Sequence, residues 1–270
     1  AGFDESDVDA SDVDESIVID KNNVKNGFYK LTIDSAYKAL QAKKDVFTNV
    51  EKAYVYDKDA TYTISVNSTN ELVSSFENMT EATVFDATGV SLDVDTIGTT
   101  TDEIIVPTFS IPTGATVKGV EFKFGASMIS AEATAVSDTV VFDECDIVTA
   151  DADDTDGMPA MAIVGEMGKT VSSTKYVFNN CTFEGYVMLI GINAEFNNCT
   201  FVLSNENDGA TYCSFGEYVF NNCTFNYENG INLIASNTIY ADSYATVVLN
   251  DCTLVGATYG NSADSTITVE

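Results

Sequence analysis

Histidine, tryptophan and arginine are absent from this 270-residue chain, and its twelve basic residues are all lysines. Without histidine, the chain cannot form a Ser-His-Asp or a Cys-His catalytic arrangement. It also cannot form a zinc site that needs an imidazole ligand. Against 42 acidic residues, the lysines leave a formal net charge of -30. Nucleic acids and anionic lipid surfaces are bound by clustered basic residues, so we predict neither as a partner.

Long apolar runs are also missing, and the longest clear one, Val187 to Ile192, is far too short to cross a bilayer. We therefore predict no membrane insertion. The chain starts at Ala1 without a basic segment followed by an apolar one, from which we expect a mature form whose signal peptide has been removed. Together with the acidic composition, this predicts a secreted protein that is extracellular or on the cell surface.

What the chain does contain is a repeat. The six letters Phe-Asn-Asn-Cys-Thr-Phe occur at 178–183, 196–201 and 220–225, and looser copies lie at 141–147 and 248–254. From cysteine to cysteine the steps are 36, 18, 24 and 29 residues. Helical repeats keep a nearly constant period, whereas the coils of a β-solenoid share short strands and let loops of different lengths project from the corners. The spacing therefore predicts an all-β solenoid.

Inside the hexamer, the alternation of apolar and polar residues breaks at Asn179-Asn180, which predicts a turn between two short strands. Phe178, Cys181 and Phe183 are then expected to point inward. Asparagine tolerates left-handed backbone angles and can hydrogen-bond along a stack of like residues. We therefore predict three structural ladders. The cysteine ladder consists of Cys145, Cys181, Cys199, Cys223 and Cys252, and the asparagine ladder of Asn180, Asn198 and Asn222. The phenylalanine ladder consists of Phe183, Phe201 and Phe225, flanked by Ile147 and Leu254.

The cysteines of this ladder are predicted to be free thiols. Stacked coils place parallel side chains about 4.8 Å apart, which exceeds the separation of about 3.8 Å usual between bridged Cβ atoms. Buried thiols acting as small apolar side chains are therefore favoured over disulfides. Cys213 lies outside the ladder, and we expect it to be a surface thiol.

These motifs resemble the right-handed parallel β-helix of the pectate-lyase-like superfamily. The segment from Ser110 to Phe122 adds to the resemblance, because Val120 and Phe122 take the places of the later Cys and Phe. The resemblance is greatest to adhesin-like surface proteins and tailspikes, and it covers about residues 104–270. The superfamily spans lyases, hydrolases, adhesins and phage parts, so its fold assigns no function. Its pectate-type lyases use an arginine base and its polygalacturonases a Gly-His-Gly motif, and this chain lacks both. The resemblance therefore implies the non-enzymatic branch, without catalytic or cofactor-binding residues.

Three segments are predicted. Residues 1–20 form an acidic arm, which is either a solvated tail or a segment held by a neighbouring subunit or bound cations. Residues 21–103 form an N-terminal cap with the first β segments. Residues 104–270 form the β-helix. The only helix predicted has Ser35 as its N-cap and runs from Ala36 through Lys44. We favour a role in capping the first coil, and a separate function of this region is the alternative.

The stretch before Gly157 is the one place where a cation is considered. Carboxylates that precede a glycine are ingredients of a calcium loop, but Thr155 and Ala162 break the EF-hand spacing. A solvated corner loop is the alternative. No cofactor is predicted apart from calcium at this loop, whose ligands would be Asp151, Asp153, Asp154 and Asp156. The glycosylation-type triplets at Asn67 and Asn78 lie on predicted loops, whereas the Asn-Cys-Thr triplets are assigned to the turn stack.

The chain ends on an alternating strand, 265–270, and we expect its coil to be uncapped and able to stack on another chain. The arm contains an apolar run, Ile17, Val18 and Ile19. This run could add a strand to the sheet of a neighbouring copy, beside that copy's Ile267 and Val269. We therefore predict a structural subunit of an extracellular filament or layer, whose partners are copies of itself. One alternative is an adhesin or tailspike-like module that binds glycans or a surface. A third is a polysaccharide hydrolase that relies on carboxylates alone.

Overall fold

A computed structural model of the chain describes residues 62–77, 79, 82–100, 106–149, 160–166, 171–203, 211–227 and 238–270. These residues form 23 strands and two helices, each numbered here in chain order. Several predicted features lie outside the described residues. They are the acidic arm with Ile17, Val18 and Ile19, the helix at 35–44, Asn78, and the loop containing Asp151, Asp153, Asp154 and Asp156.

Sheet I has nine strands, and its spatial order follows the chain. It consists of β1 (Tyr62–Ser65), β2 (Thr83–Asp86), β5 (Ala115–Lys118), β8 (Thr139–Asp143), β11 (Lys175–Asn179), β14 (Asn193–Asn197), β17 (Glu217–Asn221), β20 (Thr246–Asn250) and β23 (Thr266–Val269).

Sheets II and III have seven strands each and also follow the chain. Sheet II consists of β3 (Ser91–Asp93), β6 (Glu121–Phe124), β9 (Asp146–Thr149), β12 (Thr182–Glu184), β15 (Thr200–Val202), β18 (Thr224–Asn226) and β21 (Thr253–Val255). Sheet III consists of β4 (Thr108–Pro112), β7 (Ala126–Glu132), β10 (Met161–Gly165), β13 (Val187–Ile190), β16 (Thr211–Ser214), β19 (Thr238–Asp242) and β22 (Thr258–Asn261).

Each full coil contributes one strand to each sheet in the order I, II, III, and the strands paired between coils are all parallel. Parallel neighbours need a crossover connection, which here runs through the other two sheets. The predicted all-β, parallel β-helix fold is therefore confirmed. Its coils begin upstream of the boundary expected at 104, because β2 and β3 already pair with β5 and β6.

The interior is filled by stacked aromatic rings. Phe142, Phe178, Phe196 and Phe220 form one column of nearly parallel rings whose centroids lie 4.5 to 4.9 Å apart. A second column contains Phe183, Phe201 and Phe225 at 4.5 and 4.6 Å. Rings of the two columns meet edge to face, at 5.3 to 5.7 Å. The alternation within each strand directs these side chains inward, so one repeated hexamer produces both columns.

Two helices occur where the sequence indicated β alternation and loops. The first, α1, spans Thr69–Phe76, and α2 spans Val94–Ile97. Ser68 caps α1, because its side chain accepts a hydrogen bond from the Glu71 N–H at 3.3 Å. Asp93 caps α2 in the same way through Thr96 at 3.2 Å. The expectation that the only helix lies at 35–44 was therefore wrong, since these local caps were overlooked.

Helix α1 packs against the N-terminal end of the coil stack. Leu72 is fully buried, and the ring of Phe76 lies 4.9 Å from that of Phe85 and 6.1 Å from that of Phe109. Phe85 and Phe109 belong to the first coil, in sheets I and III. Within the described residues, α1 thus covers apolar side chains that an open coil would expose.

The three corners differ in length. From β5 onward, each link from sheet I to sheet II has two residues, such as Asn180 and Cys181. Links from sheet II to sheet III vary most, and the long ones are 94–107, 150–160, 203–210 and 227–237. Sheet III connects to sheet I through two longer links, 133–138 and 166–174. The variable spacing of the hexamers therefore arises at the second and third corners.

Candidate functional sites on the corners and the terminal edge

The corner between sheets I and II holds one residue per coil in the left-handed region. Glu144, Asn180, Asn198, Asn222 and Asp251 have φ between 51° and 55°. Such angles cost most residues about 1–2 kcal/mol but are tolerated by asparagine and aspartate. The corner then turns the chain so that the next residue, a cysteine in all these copies, points inward. The three asparagines themselves are exposed.

The continuous amide ladder is built mainly by the first asparagine of each pair. The Nδ2 of Asn197 donates to the Oδ1 of Asn179 at 3.0 Å. Asn221 donates to Asn197, and Asn250 to Asn221, both at 2.9 Å. The second asparagines, which the sequence analysis placed in the ladder, make one such bond, from Asn222 to Asn198 at 2.8 Å. The sequence signal for the inner ladder is Asn250, because the copy at 248–254 keeps the first asparagine but has Asp251 in place of the second.

The amide ladder ends on an unsatisfied atom. The Oδ1 of Asn250 is buried and accepts no hydrogen bond within the described structure. The next residue in this column is Glu270, whose N–H donates to the Leu249 carbonyl and whose carbonyl accepts from the Asp251 N–H. An ionised carboxylate offers no donor. The buried acceptor therefore lacks the amide donor that the Oδ1 atoms of Asn179, Asn197 and Asn221 each receive.

Five cysteines form a column behind this corner, and all six cysteines of the chain are free thiols. Four column members are buried, and Cys252, in the last full coil, is partly exposed. Each Sγ donates to a carbonyl of the preceding coil at 3.3 to 3.6 Å. Cys213 is not the surface thiol that we expected. It is fully buried, because in β16 it pairs with the inward positions of Leu189 and Ala241.

The last strands form an exposed apolar edge. Ile267 and Val269 lie in register with Val247 and Leu249, which are fully buried. Val269 nevertheless remains 51% exposed, and Tyr259, the inward residue of β22, is 52% exposed. No described strand pairs with the outer side of β21, β22 or β23. These residues have the orientation of core side chains, and no described coil covers them.

A row of tyrosines that no sequence pattern indicated lies on the outside of sheet III and at its β13 corner. The rings of Tyr186 and Tyr212 are 5.5 Å apart, and those of Tyr212 and Tyr240 are 5.7 Å apart. All three are half-buried. Burial, and then the neighbouring Tyr212, raise the pKa of Tyr186 to about 12. Tyr212 and Tyr240 are in register between β16 and β19, whereas Tyr186 lies just before β13 and meets Tyr212 diagonally, because the residue in register with Tyr212 is Met188. We call these three residues the tyrosine face.

Ion pairs and metal ligands are few in the part of the chain that the structure describes. Lys118 contacts Asp143 at 3.3 Å and Glu144 at 3.0 Å, and hydrogen bonds to Glu144 and then Asp143 raise the pKa of its ammonium group. No cluster of three or more His, Cys, Asp or Glu side chains in the described ranges has the arrangement of a metal centre. The calcium loop at 151–156 lies outside these ranges and stays a prediction.

Asn67 is exposed just before α1, and its backbone N–H donates to the Glu71 carboxylate at 2.8 Å. Its glycosylation stays a prediction. Among the described residues, no helix has the length and apolarity to span a bilayer.

Comparisons with family models, with curated proteins and with solved structures find no match for this chain. The superfamily therefore remains a resemblance, and functional proposals depend on the geometry of the molecule.

Proposed function

We propose that this chain is a structural subunit of an extracellular surface filament or layer, in which copies join at the edge formed by β21, β22 and β23. The exposed apolar edge is the observation that supports the proposal. Unpaired strand edges are templates for further strands. Ile267, Val269 and Tyr259 would be buried by one more coil, and in this proposal another copy of the chain supplies it.

The construction of the coil stack also favours a scaffold. Aromatic columns, thiols and amide ladders link successive coils along the whole repeat region. Contacts of this kind couple each coil to its neighbours, as in other solenoids. The two ends of the described stack differ, because α1 packs over the first coil. A contact between unlike ends is heterologous and extends into a filament rather than closing into a dimer.

In this proposal the arm takes part as well. Its sequence Ser16-Ile17-Val18-Ile19-Asp20 has the pattern of Thr246-Val247-Val248-Leu249-Asn250, the strand β20 in sheet I. A segment with that pattern presents two apolar side chains to one face of a sheet. It is therefore suited to strand addition on a neighbour's edge.

Sedimentation velocity and negative-stain microscopy would test the assembly. We expect the full chain to form oligomers or filaments, and we expect both Ile267→Lys and deletion of residues 1–20 to prevent them. Val171→Lys is the matched control, because Val171 is 45% exposed but lies away from the edge, between β10 and β11. Monomers of the full chain at all concentrations would refute the proposal. Calcium and chelator arms would show whether the loop at 151–156 contributes.

A second function, a glycan-binding or surface-binding adhesin, is favoured by the tyrosine face. Aromatic side chains with polar tips suit surfaces that are partly apolar and partly wet. Long links from sheet II to sheet III enter this sheet, and loops on rigid scaffolds often carry binding residues. A neutral glycan array would test this function. Glycan binding that is lost in Tyr212→Ala but kept in the edge variant Ile267→Lys would favour it. An array without any bound glycan would count against it.

A further inference from the structure

We propose that the predicted helix of residues 36–44 docks on the outside of sheet III in the same chain. Its place there is an apolar surface on β13, β16 and β19, which we call the sheet III patch. The patch consists of Tyr186, Met188, Ile190, Tyr212 and Tyr240. This inference goes beyond the assembly proposed above, because it concerns a contact within one chain.

The first support is the composition of the patch. Along β13, its residues alternate with side chains that are fully buried, so they face outward. Met188 is in register with Tyr212, and Tyr212 with Tyr240, which joins the three strands into one surface. All five residues of the patch are half-buried. A contiguous apolar surface of this kind on the outside of a protein is typical of an interaction site.

The size of the patch favours an occupant from the same chain. It extends about 13 Å along β13, and about 10 Å over the two strand spacings from β13 to β19. Its area is therefore a few hundred Å² at most, whereas a stable contact between separate proteins buries about 800 Å² on each partner. A tethered segment needs far less area, because the tether gives it an effective concentration in the mM range.

The predicted helix matches the patch in length and pattern. Nine helical residues span about 13.5 Å, which equals the extent of the patch along β13. Ala36, Tyr37 and Leu40 share one face of this helix. Docking would bury these three side chains against the patch and leave Ala42, on the opposite side, in solvent.

Charge complementarity supports the same occupant. Residues 36–44 carry three lysines and no acidic residue. The lysines that the structure describes all lie in sheets I and II. Asp242 ends the strand that contains Tyr240, and burial, then Tyr240 and Asp242, raise the pKa of Tyr212. A basic helix would thus meet a surface bordered by negative charge.

The course of the chain brings this segment within reach. In each coil a strand of sheet I follows sheet III, so we expect the residues before β1 to approach from the side of sheet III. The 17 residues between Lys44 and Tyr62 reach up to about 56 Å. Along the stack, β19 lies six coil spacings from β1, which is about 29 Å.

The other place considered for this helix already has an occupant. Helix α1 covers the first coil through Leu72, which is fully buried, and through Phe76, whose ring contacts those of Phe85 and Phe109. The predicted helix is therefore available for the patch. Since it would cover Tyr212 and Tyr240, a glycan at the tyrosine face would have to displace it.

Fluorescence of the full chain would test docking. The chain contains no tryptophan, so Tyr212→Trp provides a single reporter within the patch. We expect the emission of a buried indole, and we expect Leu40→Asp in the same background to shift it to that of an exposed indole. Ala42→Asp is the matched control, because it adds the same charge to the opposite side of the helix, and it should leave the emission unchanged.

An exposed emission in the full chain would overturn the proposal, and so would a buried emission that Leu40→Asp does not alter. A buried emission that is lost on dilution would mean that a second copy covers the patch, which also refutes docking within the chain.

Trypsin provides a second measurement that leaves Tyr212 in place. Cleavage after Lys38 and Lys43, followed by mass spectrometry, should be slow in the unaltered chain and at least tenfold faster in Met188→Glu. Val219→Glu is the matched control, since Val219 is half-buried and faces outward on β17 of sheet I. Equal cleavage rates in the two variants, with the circular dichroism of the unaltered chain retained, would refute docking on the patch.

Discussion

At the scale of single residues, Phe196 occupies the centre of the aromatic interior. Its ring lies 4.5 Å from that of Phe220 and 4.9 Å from that of Phe178, and it also meets Phe183 and Phe201 edge to face. Leu249 takes the equivalent place in a later coil and pairs with Phe220. This column therefore accepts leucine in its last coil. At Phe196, in the middle of the column, a smaller side chain would leave a void between the neighbouring rings.

We predict that Phe196→Ala lowers the free energy of unfolding by about 3–5 kcal/mol, because it removes a buried ring and leaves a cavity. Phe196→Leu, the matched control, should cost about 1–1.5 kcal/mol. Urea unfolding followed by circular dichroism measures both. Equal losses for the two variants would mean that cavity volume is not what determines stability here.

The buried Oδ1 of Asn250 leads to a second prediction at this scale. Glu270→Gln introduces an amide N–H beside an acceptor that is otherwise unsatisfied, and we expect it to raise the free energy of unfolding by about 1 kcal/mol. Glu270→Ala is the control, because it removes the carboxylate without adding a donor. A gain of similar size in both variants would show that charge removal, rather than the new hydrogen bond, causes the stabilisation.

At the scale of elements, the repeated hexamer determined strand, corner and strand in every copy, because the inward residues and the left-handed asparagine lie within six residues of one another. The helices α1 and α2 were missed because their caps lie in a region of apolar and polar alternation. Ser68 and Glu71 are spaced as in a capping box, and that local signal would have located α1.

We predict that Ser68→Ala lowers the free energy of unfolding by about 1 kcal/mol, because the Glu71 N–H loses its acceptor. Asn70→Ala, on the exposed side of the same helix, should be neutral or slightly stabilising. Thermal unfolding compares the two variants. If Ser68→Ala has no effect, the contacts of Leu72 and Phe76 alone hold α1 in place.

At the scale of the whole molecule, charge opposes assembly. Each copy carries a formal net charge of -30, so copies repel one another at low ionic strength. The edge through which we propose that copies join exposes the apolar side chains Tyr259 and Val269. We expect salt to strengthen association, because the Debye length falls from about 30 Å at 0.01 M to about 3 Å at 1 M.

Sedimentation velocity across this range of salt would measure the effect. The full chain should shift to larger species as salt rises, and the edge variant Ile267→Lys should remain monomeric throughout. Dissociation of the full chain by salt would instead indicate that ion pairs hold the copies together.

By itself, the sequence determined the fold class, the inward phenylalanines and cysteines and the turn at each Asn-Asn pair, because these features depend on residues that are close along the chain. Only the tertiary structure decided that the inner asparagines form the main amide ladder, that Cys213 is buried, and that Tyr186, Tyr212 and Tyr240 share a face. These depend on register between coils joined by links of unequal length, and register is set by pairing across space rather than by distance in sequence.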